Sequence, residues 1–540
     1  MEMRRLLIVA AALALLCQGA SSQSKSFKLG KWTEIENSVL RELNRFYVDT
    51  IPIDRIRRAA VDAMLAELDP YTIYVPREED ENFEMMIGKN YGGIGAVIYK
   101  PDINGPVIIN EPYENSPAHK YGLRPGDEIL EIDSKSTAGL TSQQASDRMR
   151  GTPGTSVLFK IRKVRSADTV EVRIVREKIH LPDIEFSGML DDSTGYILQS
   201  GFTEGVGDEM RKCVSNLKKS GMKRLVLDLR GNGGGLMNEA VEIASIFLPK
   251  GTEIVSARGR DSQLDYTYKT TKEPLDTELP LVVLVDGYTA SSSEIVSGAL
   301  QDYDRALIAG RRSYGKGLVQ SIRPLPYGGK MKITTAKYYL PSGRCVQAID
   351  YSSPDEKGEF KAIPDSLTKE FKTASGRPVR DGSGITPDVV LKAKEYSRLT
   401  YSLVLSGVVE RYALDFVRRH ESIPAVEDFH FDDYDDFIAF ARGENFDYRS
   451  SARTLYDQMV RELTKDGLEE TVKPQLEALK EALEIDKEQF LRLMKDEIIP
   501  FIEEEIAVRY YFQKAGVKIR LRYDDQLRDA LAIPVTALAK

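Results

Sequence analysis

The chain has 540 residues, 42% of them hydrophobic and 29% charged, a globular balance with length for three or four domains of about 100–200 residues each. A net charge of −8 excludes the basic stripe of a general nucleic-acid binder. Three cysteines exclude a disulfide scaffold, and the four histidines, His119, His180, His420 and His430, all stand outside catalytic-looking settings.

The chain opens on Arg4 and Arg5, then an apolar stretch from Leu6 to Cys17, shorter than the roughly 20 residues that span a bilayer. Ala20-Ser21-Ser22 supplies small residues for cleavage, so residues 1–22 read as a secretory signal. Leu16 before Cys17 argues against lipidation, and no second apolar run is long enough to span a membrane. Beyond the signal only Cys213 and Cys345 remain, expected as buried free thiols.

Trp32 to Leu68 reads as helical from Ile56, Ala59, Ala60, Met64 and Leu68, and Asp69-Pro70 ends it. This gives an N-terminal helical arm over 23–87. Residues 88–178 read as a small β-rich module. Gly92-Gly93-Ile94-Gly95 is a turn feeding a strand, Ser116 to Leu130 a short helix, turn and strand, Thr141 to Met149 a second helix, and Val157 to Arg162 a strand.

Over 179–391 strand and helix signals alternate. Arg224–Arg230 and Pro280–Asp286 are apolar runs bounded by turn residues, as expected of strands covered on both faces. Leu236–Phe247 and Glu294–Tyr303 read as the helices between, an α/β pattern. Glu356 to Gly384 reads as a long surface loop. Residues 392–540 read as helical and charged, with Glu484 to Glu505 acidic and amphipathic, a solvated helix face or dimer contact rather than a binding site.

Three motifs carry candidate chemistry. Ser291-Ser292-Ser293-Glu294 sits between a strand and an apolar helix. In isolation Ser291-x-x-Glu294 is a capping box. The same geometry exposes a serine where the helix dipole favours a developing oxyanion. The residues alone leave Ser291, Ser292 and Ser293 open as nucleophile. Lys316, between Gly315 and Gly317, is in isolation a surface lysine. Burial lowering its pKa would make it a general base, and Gln320, four residues on, shares a strand or helix face with it. Leu227-Asp-Leu-Arg-Gly231-Asn-Gly-Gly234-Gly235 is a strand running into glycines. It is either a tight turn or a concavity of backbone N–H groups suited to an oxyanion. Gly310-Arg-Arg-Ser-Tyr-Gly315-Lys316 matches seven positions of a phosphate-binding loop. Gly317 replaces the magnesium-binding hydroxyl, and a strand follows where a helix is required. No nucleotide, metal or other cofactor is therefore expected.

Taken together these segments resemble the C-terminal processing (tail-specific) serine peptidases. The resemblance spans about Asp69 to Val390. It rests on Leu68-Asp-Pro-Tyr-Thr-Ile-Tyr74, Tyr91-Gly-Gly-Ile-Gly-Ala96, Gly122-Leu-Arg-Pro-Gly-Asp127, Leu227 to Gly235, Thr289-Ala-Ser-Ser-Ser-Glu-Ile295, Tyr314-Gly-Lys-Gly-Leu-Val-Gln320, Tyr338-Tyr-Leu-Pro-Ser-Gly-Arg344 and Gly384-Ile-Thr-Pro-Asp388, in that order. It implies Ser291 as nucleophile, Lys316 as base, Gln320 as its positioning residue, and oxyanion donors from Ser292 and from Gly234 or Gly235. Thr289, Ser292, Gly231 and Gly233 depart from the family's usual residues. The β-rich module resembles a PDZ domain, with Gly93, Ile94 and Gly95 forming the nest for a peptide carboxylate. The expected fold is thus multi-domain α/β: residues 88–178 an inserted PDZ domain, 179–391 the peptidase core, and 23–87 and 392–540 helical ends resembling arms through which relatives dimerise. The implied partners are proteins or peptides with exposed C-termini, a second copy of the chain, and an activating adaptor. The implied location is the periplasm, with membrane association an open variant. A catalytically silent PDZ scaffold or chaperone is the competing reading.

Overall fold

The computed structural model describes residues 25–352, 354, 358–446, 450–483 and 486–534; the expected signal segment lies outside them. The chain divides into two compact units at Tyr74/Val75.

In the first unit a helix over 25–46 is followed by a second helix, Ile53–Ala66. The single helical run expected from Trp32 to Leu68 is thus split over 47–52. Pro52 caps the second helix, and a proline both lacks a donor and drives the residue before it out of helical conformation. Asp69 then turns the chain, its Oδ1 accepting the amides of Tyr71 (2.9 Å) and Thr72 (2.8 Å).

The second unit is built around a six-stranded sheet in the order Ile184–Met189, Thr194–Gln199, Arg224–Asp228, Leu281–Val285, Leu307–Gly310, Val389–Val390. The first pair is antiparallel and the rest are parallel. Strand alternation assigns its two faces. Leu225, Leu227, Leu281, Val283 and Val285 pack with helices Val206–Lys219, Met237–Ala244 and Ser292–Asp302. Tyr196, Val226, Val282 and Leu284 pack on the other face with Leu527 and Ala530 of the last helix, Asp525–Leu531. Burial on both faces is why these strands read as unbroken apolar runs. A second, antiparallel sheet pairs Lys330–Tyr339 with Glu253–Gly259 and with Leu318–Pro324.

The β-rich module has its own core of Val107, Ile109, Ile129, Phe159, Ile161 and neighbours. The chain enters it along Asn90–Gly93 and leaves along Glu177–His180, and these two strands pair with each other. The insertion therefore hangs on a two-stranded ribbon.

Two expectations are corrected. Within 356–384, Glu370–Lys372 and Pro378–Arg380 form a hairpin, so the polar stretch is partly ordered β structure. The acidic run near Glu484 to Glu505 is not a solvated face. Helix Lys495–Arg522 buries Ile498, Ile502 and Ile506 in the centre of the C-terminal domain. Its buried Glu503 accepts from the Phe431 amide (2.9 Å) and from Arg522 Nη1 (3.1 Å). The apolar stripe packs inward, while Glu503, Glu504 and Glu505 pair with Arg522, Arg520 and Arg509. Cys213 and Cys345 are both free and partly buried. Among the described residues no helix is long and apolar enough to cross a membrane.

Candidate active site

Ser291 stands at the start of helix Ser292–Asp302 with φ 58° and ψ −117°, a conformation that non-glycine residues adopt only when their surroundings impose it. It is partly exposed, whereas Ser292 and Ser293 are buried. The Ser292 hydroxyl donates to the Gly235 carbonyl (2.8 Å), and the Ser293 hydroxyl to the Asn232 carbonyl (3.0 Å). Of the three serines left open by the sequence, two thus have their hydroxyls committed to the glycine turn.

The residue that organises the site is Glu294. It is fully buried, and its carboxylate meets four donors. Oε2 accepts the amides of Ser291 (2.9 Å) and Lys316 (2.8 Å). Oε1 accepts the Ser313 hydroxyl (2.6 Å) and the Gly315 amide (2.8 Å). One oxygen therefore bridges the backbones of the candidate nucleophile and the candidate base. Burial pushes the Glu294 carboxyl up, and the hydrogen bonds from Ser313, Lys316, Ser291 and Gly315 oppose that. The capping-box pattern in the sequence pointed to the bond from Ser291. The bonds to Ser313, Gly315 and Lys316 cross 19–22 residues and had no local signal.

Lys316 is partly buried in the segment leading into strand Leu318–Pro324. Its flanking glycines are required by close approach. A Cβ on Gly315 would lie 2.4 Å from the Ala348 Cβ, and one on Gly317 would lie 2.8 Å from the Gln347 amide nitrogen. Gln320 lies on the strand opposite Thr334, and its Nε2 donates to Thr334 Oγ1 at 3.2 Å.

The glycine turn packs directly on the serine. A Cβ on Gly234 would lie 2.7 Å from the Ala290 carbonyl oxygen, 2.8 Å from Ser291 Cβ and 2.9 Å from the Ser292 amide. The Gly234 amide, however, donates to Asn232 Oδ1 at 2.9 Å. Of the two glycines expected as oxyanion donors, Gly234 thus has its N–H engaged within the turn.

In the PDZ-like module, Gly93, Ile94 and Gly95 line one side of a groove of about 270 Å³, with Ser146 and Met149 of helix Ser142–Met149 also on its wall. Ile94 points into the module's core and is 3% exposed, so it has only backbone to offer. Arg150 lies over the Tyr91 ring at 5.3 Å, beside the same groove.

Among the described residues no acidic, histidine or cysteine cluster has the makings of a metal site. A mostly parallel α/β sheet with a serine at a helix start and a peptide-groove insertion is the arrangement of a PDZ-bearing serine peptidase. The comparisons agree. Family models match for "Peptidase family S41" over 193–357, for a "PDZ domain" over 108–163, and for "Probable PDZ-protease, C-terminal helical domain" over 399–533. The carboxy-terminal-processing protease of Bartonella bacilliformis is 35% identical over 332 residues, 59% of this chain and 75% of that one. A "Probable CtpA-like serine protease" of Staphylococcus aureus is 34% identical over 316 residues, 58% of this chain and 62% of that one. The solved structure of a photosystem II D1 C-terminal processing protease is 26% identical and covers 65% of this chain and 91% of that one, with a TM-score of 0.36. The chain belongs to peptidase family S41 and is a carboxy-terminal-processing serine-type protease with a PDZ domain.

Proposed function

We propose that the protein is a periplasmic endopeptidase that takes protein C-terminal tails in its PDZ groove and cuts them by a serine–lysine mechanism. The observation that carries the reading is the single Glu294 oxygen that accepts from both the Ser291 and Lys316 backbones. It ties the backbone of a partly exposed serine to that of a lysine, in a chain whose histidines lie elsewhere. In this reading neutral Lys316 takes the Ser291 hydroxyl proton as Oγ attacks the substrate carbonyl. The tetrahedral oxyanion is held by backbone N–H groups, the amine leaves with the proton, and water releases the acyl-enzyme. Gln320 orients the lysine. With Gly234 committed to Asn232, the amides of Ser292 and Gly235 remain for the oxyanion. The Gly93-Ile94-Gly95 turn receives the tail carboxylate on its backbone, and the tail joins the open strand edge.

The arm of the first unit supports a homodimer. Trp32, Ile35, Val39 and Phe46 recur along its helix with their side chains exposed, an apolar stripe that a second copy would cover. Secretion through the leader at 1–22 and an activating adaptor belong to the same reading. The test compares wild type with Ser291→Ala and Lys316→Ala on an unfolded protein ending in an apolar tail, read by mass spectrometry. Cleavage by wild type alone is expected. Cleavage by Ser291→Ala would overturn the nucleophile. Tail binding without cleavage by any of the three would favour the silent PDZ scaffold.

A further inference from the structure

The C-terminal helical domain reaches the residue that precedes the glycine turn. Arg230, the residue before the glycine turn, is held through every nitrogen of its guanidinium. Nε and Nη2 bind the carboxylate of Asp228 (3.0 and 2.5 Å), at the end of the central strand. Nη1 and Nη2 bind the two oxygens of Asp524 (3.2 and 2.5 Å), and Nη1 also reaches Gln526 Oε1 (3.0 Å). A fork engaged on two sides by carboxylates fixes the guanidinium plane as well as its position. Burial opposes the charge, but Asp228 and Asp524 hold the guanidinium firmly protonated. Asp524 also caps the last helix, its Oδ1 accepting the Leu527 amide at 2.9 Å.

From Arg230 the connection to the serine is short. The Gly231 amide donates to Asp286 Oδ1 (3.0 Å). The Asn232 carbonyl accepts the Ala290 amide (3.0 Å) and the Ser293 hydroxyl (3.0 Å). Two residues on, Gly234 lies against Ser291 and Ser292. The far end of the turn is tied to the core where the Leu236 amide donates to the Phe202 carbonyl (2.8 Å). The side-chain anchor at its near end, Arg230, is gripped from the C-terminal domain.

We infer that Asp524, seconded by Gln526, is a positioning residue for catalysis: it clamps Arg230, and through it the glycine turn against Ser291. The C-terminal domain is thereby part of the active site's scaffold, and docking of the last helix sets the turn. The inference rests on the assignment of Ser291 as nucleophile.

Asp524→Asn tests it, since asparagine keeps the helix cap but presents an amide to Arg230 and removes the charge. With purified protein and the apolar-tailed substrate, kcat is expected to fall about tenfold while KM stays within about twofold, the order expected when a catalytic geometry loosens. The rate at which a fluorophosphonate labels Ser291 falls by the same factor. Gln526→Ala, which removes one bond and leaves the ion pair, falls by about two- to threefold. The unfolding midpoint of both variants stays near that of wild type. Wild-type kcat in Asp524→Asn overturns the inference. So does a fall in kcat matched by a lower unfolding midpoint, which would reduce Asp524 to a docking contact. If Ser291→Ala cleaves like wild type, the nucleophile assignment falls and takes this inference with it. If Ser291→Ala is inert and Asp524→Asn is not impaired, this inference alone is lost.

Discussion

At the active-site crossing a buried carboxylate, Glu294, meets four donors. At the junction between the PDZ domain and the C-terminal helices another buried carboxylate, Glu111, meets one. Its Oε2 accepts from Gln513 and its Oε1 is buried without a hydrogen-bond partner. The backbone differs in the same sense. Ser291 is strained beside a carboxylate that holds its amide together with that of Lys316. Phe512, beside the junction, interrupts helix Lys495–Arg522 at φ 63°, ψ −177°, and its ring meets His119 edge-on at 4.9 Å. A satisfied buried network specifies one geometry, whereas an incompletely satisfied one forfeits stability and gives way first. The crossing is built to hold still. The junction holds a buried carboxylate oxygen without a hydrogen-bond partner, beside other bonds such as Arg509 Nη2 to Asn110 Oδ1 (2.6 Å).

The largest effects are expected from breaking the crossing. Glu294→Gln keeps the shape but turns an NH2 group toward two of the four donors. At about 1–3 kcal/mol for each donor left unsatisfied, it loses about 4 kcal/mol in urea unfolding, and turnover falls by about a hundredfold or more as Ser291 and Lys316 move apart. Gly234→Ala comes next. Its φ of 94° and a Cβ 2.7 Å from the Ala290 carbonyl cost about 2–3 kcal/mol, with turnover reduced about tenfold. Gly231→Ala is the control. It also has positive φ, 71°, but nothing lies within 4 Å of its Cβ, so it loses about 1 kcal/mol. Equal losses at 234 and 231 would show that the turn does not brace the serine.

The two regions also differ in how far the sequence disclosed them. The strands into and out of the crossing were legible because burial on both faces writes itself as apolar runs. Arg224 to Arg230 is read as strand and Arg224–Asp228 forms it; Leu318–Pro324, read as a strand from its alternation, is one. Ser291, Lys316 and the glycine turn were each weak alone and informative only in order. What brings them together is Glu294, whose bonds span segments with no shared periodicity. The break at 47–52 was missed because apolar residues on both sides keep a helical spacing across Pro52. The role of the last domain was hidden for a related reason. Asp524 reads as one more acidic residue in a charged helix, and its partner Arg230 lies 294 positions away.

The junction is expected to respond to pH through Glu111. Burial pushes the Glu111 carboxyl up to about 7, with Gln513 and Arg509 only partly offsetting it. The unfolded chain releases this proton near pH 4.5, the ordinary value, so between about 4.5 and 7 the folded protein holds more protons. Stability from this group is therefore fully present below about pH 4.5 and is lost as pH rises through 7. Glu111→Gln removes the titration. Its unfolding free energy is expected to gain about 2–3 kcal/mol on wild type between pH 5 and pH 8, measured at the two pH values in urea. A constant difference across that range would place Glu111 outside the junction's pH response.

The smallest effect sharpens the contrast most. Phe512 occupies a backbone region reached routinely only by glycine, at a cost of order 1–3 kcal/mol. Phe512→Gly and Phe512→Ala both delete the ring and its contact with His119, so their difference isolates the backbone. In an ordinary helix glycine is the worse of the two by about 1 kcal/mol. Here the order reverses: Phe512→Gly is expected to be more stable than Phe512→Ala by about 1 kcal/mol, and within about 1 kcal/mol of wild type because relief of strain offsets the lost ring. Thermal unfolding of the two variants side by side decides it. If alanine is the more stable, position 512 is ordinary helix in solution, the junction carries no strain, and the contrast with Ser291 rests on Glu111 alone.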